Sequence, residues 1–173
     1  MFAALLRLSV RQWSLAGLAF CVLMMLVALG LEHIGGLEPC PLCIFQRIAV
    51  LSAAAVFIVA AIHNPQGRLG PVIYGGLSLA AVLGGIGVAA RHVWLQSLPP
   101  DQVPSCGPGL GYMVDVLPMQ DVVAMVLSGS GECAEIDFLL LGISLPGWTL
   151  IGFIVLALAP LGILYRSVRG LWP

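Results

Sequence analysis

Five cysteines stand in this 173-residue chain, and four of them are arranged in ways that could do chemistry. Cys40 and Cys43 form a C-x-x-C. Cys106 and Cys133 lie 27 positions apart. A C-x-x-C ring is too small to restrain much chain, but it is the spacing at which two thiols exchange with a bound partner. Closing the segment between Cys106 and Cys133 would contribute roughly 3–4 kcal/mol by chain entropy. One disulfide per segment is the natural first arrangement, although four cysteines can be joined in more than one way and spacing does not choose. Zinc sites typically pair two short Cys spacings, which this set lacks, so no metal is expected. Haem attachment needs a histidine after the C-x-x-C, and residue 44 is Ile. Cys21 is alone in an apolar run and reads as a small hydrophobe.

Two further side chains bear on the C-x-x-C. Arg47 follows Cys43 by four positions, so on a helix it lies one turn below on the same face. A helix N-terminus and a permanent cation both favour a Cys43 thiolate. An arginine within an apolar stretch is expensive and marks a functional candidate, with snorkelling to the interface as the alternative. His92 follows Arg91 at the end of another apolar run, a position where polar residues are routine.

These residues must be positioned by a membrane bundle. Sixty per cent of the chain is apolar and only 9% is charged, against about 25% charged in soluble domains. Seven basic residues against eight acidic ones leave no basic patch for nucleic acid. Four stretches are long enough to cross a bilayer, about 13–31, 44–62, 71–90 and 146–165. The first is too long for a signal-peptide core and no small-residue cleavage site follows, so it is expected to be retained. Pro146 suits the first turn of the fourth span, and Pro160 predicts a kink inside it. Small residues in spans 2 and 3, including Gly75, Gly76, Gly84, Gly85 and Gly87, predict close helix packing. The predicted fold is an all-α integral membrane protein, a four-transmembrane-helix bundle in one domain over 1–173, with neither internal repeat nor low-complexity segment.

Arg7, Arg11, Arg68, Arg166 and Arg169 fall on one side of the spans, the cytoplasmic side by the positive-inside rule. Both termini are then cytoplasmic. Two periplasmic loops, about 32–43 and 91–145, hold all eight acidic residues and every cysteine but Cys21. That compartment permits disulfides. The second loop is too long for a mere connector. Within it Pro118–Leu127 reads as a short helix, with Met119, Val122, Val123 and Val126 on one face. It either lies in the membrane interface or packs on the bundle. Trp13, Trp94 and Trp148 suit an aromatic belt, and His33 and His63 a boundary position. Electrons from a dithiol need an acceptor. With no flavin or nicotinamide fingerprint and too few haem ligands, a lipid-soluble quinone fits by elimination.

The run Glu38-Pro39-Cys40-Pro41-Leu42-Cys43-Ile44-Phe45-Gln46-Arg47 resembles the P-C-x-L-C-I-x-x-R signature of the DsbB family, quinone-linked oxidants of the bacterial thiol oxidase DsbA. Arg91-His92-Val93-Trp94-Leu95-Gln96 resembles the segment closing span 3, where a histidine lies near the quinone. Cys106 takes the place of the first second-loop cysteine. Ser130–Glu135 and Leu145–Trp148 resemble the stretch into span 4. Gln46 departs from members that carry glutamate there. The resemblance covers nearly the whole chain.

It implies a bacterial inner-membrane oxidoreductase. The Cys106–Cys133 disulfide would be attacked by a reduced, periplasmic, thioredoxin-fold partner of DsbA type, and Cys106 would hold the mixed disulfide. Cys133 would attack Cys40. Cys43 would leave as a thiolate and donate into the quinone, ubiquinone or menaquinone, with Arg47 stabilising the charge and His92 close to the ring. The second loop must then bring Cys133 to Cys40, with Ser128-Gly129-Ser130-Gly131 as hinges. Two other readings stay open. One is a non-catalytic, disulfide-stapled membrane scaffold. The other is an oxidoreductase running in the opposite direction, like the vitamin K epoxide reductases, since direction is set by redox poise.

Overall fold

In the computed structural model the described residues are 8–65, 67–99, 101–105, 109–136 and 138–169. Helix α1 spans Val10–His33, α2 Pro41–His63 and α3 Leu69–Gln96. Three short helices follow, α4 Leu110–Val116, α5 Met119–Ser128 and α6 Gly131–Ala134. A small antiparallel hairpin, β1 Leu139–Leu140 and β2 Ile143–Ser144, pairs Leu139 with Ser144 and Leu140 with Ile143. Helices α7 Leu145–Leu156 and α8 Leu158–Arg169 complete the described chain. Helices α1, α2, α3 and the continuous run Leu145–Val168 are each long and apolar enough to cross a membrane. The expected membrane bundle is the observed fold.

The helix ends follow from local chemistry. Ser9 and Gln12 form a reciprocal capping box at the start of α1, satisfying N–H groups that an α-helix leaves free. Pro41 opens α2 in its first turn, with Cys40 as N-cap in extended backbone. Asn64 ends α2 in the left-handed region (φ 41°), which asparagine tolerates, and Pro65 follows. The kink expected at Pro160 is present as an interruption at Ala157 between α7 and α8. The proline ring has no N–H for the Leu156 carbonyl and crowds it, so the helix yields just after that residue.

All four membrane-spanning segments reach beyond the expected spans. The C-x-x-C is drawn into the first turn of α2, and His92 into the last two turns of α3. A polar residue ends an apolar window but not a helix, because backbone hydrogen bonding continues. In the second loop the helix expected at Pro118–Leu127 is Met119–Ser128, with Pro118 outside it as N-cap. Helix α4 was not expected. Gly109 and Gly111 disguise it, although glycine serves as its N-cap.

Helix α2 packs on α1 and α3, α3 packs on α7 and α8, and α8 returns to α1. Val50, Ala53, Phe57, Val82, Phe153, Leu156 and Ile163 fill the centre, together with Cys21, which is fully buried as a small hydrophobe. Leu23, Leu26, Leu51, Leu83 and Ile154 face outward, as lipid contact requires. Lipid supplies no hydrophobic drive for helix association, so close packing has to hold the bundle. Only part of the glycine expectation is met. A Cβ on Gly85 would lie 2.2 Å from the Phe153 ring, and one on Gly75 2.8 Å from Leu164, whereas Gly76, Gly84 and Gly87 border open space. Ser14, Ser78 and Thr149 return their hydroxyl protons to carbonyls one turn back, which satisfies them inside the apolar layer.

Candidate functional site

A second cluster closes one end of the bundle. Leu42 of α2 and Leu95 of α3 meet Met113 of α4, Val122 and Val126 of α5 and Cys133 of α6. Helix α5 therefore packs on the bundle through Val122 and Val126, while Met119, at the N-terminal end of the same stripe, and Met125 remain exposed. Arg91 ties it down. Its guanidinium donates to the carbonyls of Leu127 (3.1 Å) and Ser128 (2.9 Å) at the C-terminus of α5, and lies over the Trp94 ring at 4.1 Å. Gly129 then turns the chain with φ 88°, and a Cβ there would lie 2.4 Å from Leu95. The Ser128–Gly131 tract is thus a packed corner in this arrangement, delivering α6 against the start of α2.

The chemistry gathers beneath this cap. Cys40 and Cys43 are thiols with their sulfurs 3.3 Å apart. His92 Nε2 lies 3.8 Å from Cys40 Sγ. Its Nδ1 lies 3.2 Å from the Gln46 amide nitrogen. His92 is 3% exposed and Gln46 4%. With the amide donating to Nδ1, the ring proton sits on Nε2 and faces Cys40. Cys133 is also a free thiol, almost wholly buried, with its N–H bonded to the Ser130 carbonyl (3.0 Å) and its sulfur 3.6 Å from Ser130 Oγ. Hydrogen bonding to Cys40 pushes the Cys133 thiol well above the usual range, and burial adds to this. Cys106 lies outside the described residues.

A cavity of about 420 Å³ runs from this cluster between α1 and α7, floored by α2. Phe20, Met24, Leu31, Pro146, Gly152 and Val155 make its walls apolar, while Cys40, Cys43, Gln46, Arg47 and His92 concentrate polarity at one end. Trp148 lines it as well and donates its indole N–H to the Leu140 carbonyl at 3.1 Å. Arg47 lies in the wall one turn from Cys43. It forms an ion pair with Glu32 of α1 and donates to the Ala28 carbonyl at 3.4 Å.

The fold thus brings together Cys40, Cys43, Cys133 and His92, with Arg47 on the same cavity. Two participants escaped sequence reasoning. Glu32 reads as one loop acid among several, and only its position at the end of α1, level with Arg47 on an antiparallel neighbour, signals the pair. Gln46 reads as a motif position, and its burial against His92 needs the α2–α3 contact. His92 reads as interfacial by position, yet it is buried.

The family profile described as "Disulfide bond formation protein DsbB" matches residues 10–163. A disulfide bond formation protein B of Chromohalobacter salexigens is 62% identical over 164 residues, covering 95% of each chain. One of Acinetobacter baumannii is 53% identical over 88% of this chain and 85% of its own length. One of Nitrosococcus oceani is 47% identical over 95% and 97%. With that much of its length shared, and thiols gathered where a membrane bundle opens on an apolar cavity, the chain belongs to the DsbB family of disulfide bond formation proteins.

Proposed function

We propose that this protein re-oxidises a periplasmic thioredoxin-fold thiol oxidase of DsbA type and passes the electrons to a membrane quinone, ubiquinone or menaquinone. The observation that carries the reading is the joining of a three-thiol cluster to an apolar cavity with an arginine in its wall. The apolar walls and polar end fit a quinone ring with a lipid tail, with Cys43, Arg47 and His92 bordering the ring position. Bound there, the quinone is a two-electron acceptor, so two partner thiols become a disulfide as quinone becomes quinol.

The protein's own residues carry the exchange. A disulfide between Cys106 and Cys133 receives the partner's thiolate, with Cys106 retaining the mixed disulfide. Freed Cys133 attacks Cys40, against which it already lies, and Cys43 leaves. Arg47 holds the negative charge at the cavity wall. His92 faces Cys40 with a proton, suiting it to stabilise that sulfur when the bond to Cys133 is later broken. The relatives' names, disulfide bond formation proteins, favour this direction over the vitamin K epoxide reductase-like one. The packing of Cys133 against the C-x-x-C favours exchange over a static scaffold. Arg11, Arg68 and Arg166 belong to the bundle end opposite the thiols, which supports cytoplasmic termini.

The test uses the full chain in nanodiscs with reduced partner and quinone. Cys40→Ser and Cys43→Ser are expected to abolish quinol formation, and wild-type rates in both would overturn the proposal. Without quinone, thiol trapping is expected to show reduced cysteines accumulating. Arg47→Ala is expected to raise the apparent KM for quinone about tenfold, the scale of one hydrogen bond to a charged group. An unchanged KM rejects that role.

A further inference from the structure

We propose that the reduced protein binds a zinc-like divalent ion through Cys40 Sγ, Cys43 Sγ and His92 Nε2, with a water molecule in the fourth position, and that the ion holds the site reduced. The three protein donor atoms all lie within 4.8 Å of one another. Two of the separations are 3.3 Å between the sulfurs and 3.8 Å from Cys40 to His92. Zinc–sulfur bonds of about 2.3 Å and zinc–nitrogen bonds of about 2.0–2.1 Å set tetrahedral edges of roughly 3.8 Å and 3.5 Å. Shifts of roughly half an ångström in these two separations would accommodate the ion. The fourth tetrahedral position faces the cavity that Cys40, Cys43 and His92 line. This set is not the one the cysteine spacing argues against, because α3 supplies a histidine that no C-x-x-C pattern would indicate.

The surroundings have the features of a metal site. Metal-bound histidine usually donates its other ring N–H to a carbonyl or carboxylate, which fixes the ring. The Gln46 side-chain amide stands 3.2 Å from Nδ1. Turned over, it offers its oxygen to an Nδ1–H and leaves Nε2 free for the ion. The cavity between α1 and α7 reaches Cys40, Cys43 and His92, giving an entry path. Binding is not a redox step. The thiols release their protons as thiolates take the ion, and a disulfide between Cys40 and Cys43 removes two of the donors. Affinity therefore belongs to the reduced protein alone. Metal binding does not depend on the quinone reading; the consequence that the ion blocks turnover does rest on it.

Co2+ serves as the probe, added anaerobically to the full chain in nanodiscs, without a histidine tag, after reduction by a phosphine that is then removed. The expected result is one ion per chain, with thiolate-to-cobalt absorption and tetrahedral visible bands, displaced by Zn2+. The same wild-type protein with its disulfides re-formed is expected to show neither band. His92→Ala is expected to weaken binding at least tenfold, and Cys21→Ala to leave it unchanged. No thiolate-to-cobalt band in the reduced protein, or equal affinity in the oxidised protein or in His92→Ala, overturns the proposal. Quinol formation by metal-free protein is measured alongside. Normal turnover without the cobalt spectrum sinks the metal site alone, and the spectrum without turnover sinks the quinone reading alone.

Discussion

Cys133 is the residue whose chemistry the fold alters most. Hydrogen bonding to Cys40, and then burial, hold its thiol above the usual range. A raised thiol leaves less thiolate at neutral pH. In the reduced protein, alkylation of Cys133 by iodoacetamide is therefore expected to be about tenfold or more slower at pH 7 than that of a free thiol. The rate should keep rising beyond about pH 9, where an ordinary thiol levels off. Mass spectrometry of the Cys133 peptide across pH measures this, and a plateau in the ordinary range would rule it out. Cys40→Ala should return the profile toward that of a free thiol. The redox character of Cys40 and Cys43 was legible because C-x-x-C spacing is a local pattern, whereas the role expected of Cys133 came from the family resemblance. Glu32 and Gln46 were not legible, because each takes its meaning from a side chain on another helix.

At the scale of elements, adjacent glycines of α3 separate packing from mere composition. Gly85 faces the Phe153 ring and Gly84 faces open space. Gly85→Ala is expected to destabilise the bundle by about 1–3 kcal/mol through overpacking. Gly84→Ala should be neutral or slightly stabilising, since alanine is the better helix former. Thermal unfolding in detergent compares them, and equal effects would refute the packing assignment. The cap over the cysteines depends on Arg91. Arg91→Ala removes both donors from the C-terminus of α5. A cation at that terminus contributes about 0.3–1 kcal/mol at an exposed site. Hydrogen exchange is expected to speed up about two- to fivefold across 119–134 while the core of α2 stays protected, and unchanged exchange in the cap would contradict this role. Neither the Gly85–Gly84 difference nor the Arg91 clamp follows from sequence, because both depend on which helix face meets a neighbour.

At the scale of the whole molecule, the thiol cluster, the cavity mouth and the second-loop cap share one end of the bundle. The described arginines at 11, 68 and 166 belong to the other. If that polarity sets the insertion, a reporter at Gln102→Cys, in a protein whose own cysteines are alanine, should react with a membrane-impermeant maleimide in cells with an opened outer membrane. One at Leu69→Cys, 74% exposed in the wild type, should react only after the inner membrane is permeabilised. The reverse pattern would invert the orientation. The long apolar face that makes this a membrane protein also leaves one flank between α1 and α7 incompletely filled, and the reactive end opens into that flank.

The sequence by itself determined the span count, Pro146 in the first turn of the fourth span, the interruption before Pro160 and the redox character of the C-x-x-C. Each of these rests on neighbours within about one helical turn, or on apolar length, and both can be read along a chain. Only the tertiary structure decided that His92 is buried beside Cys40, that Arg47 is paired with Glu32, and that Cys133 lies against the C-x-x-C. It also decided that α5 packs on the bundle. Those relations join residues on different helices, and helix periodicity says which side chains share a face without saying which face meets which.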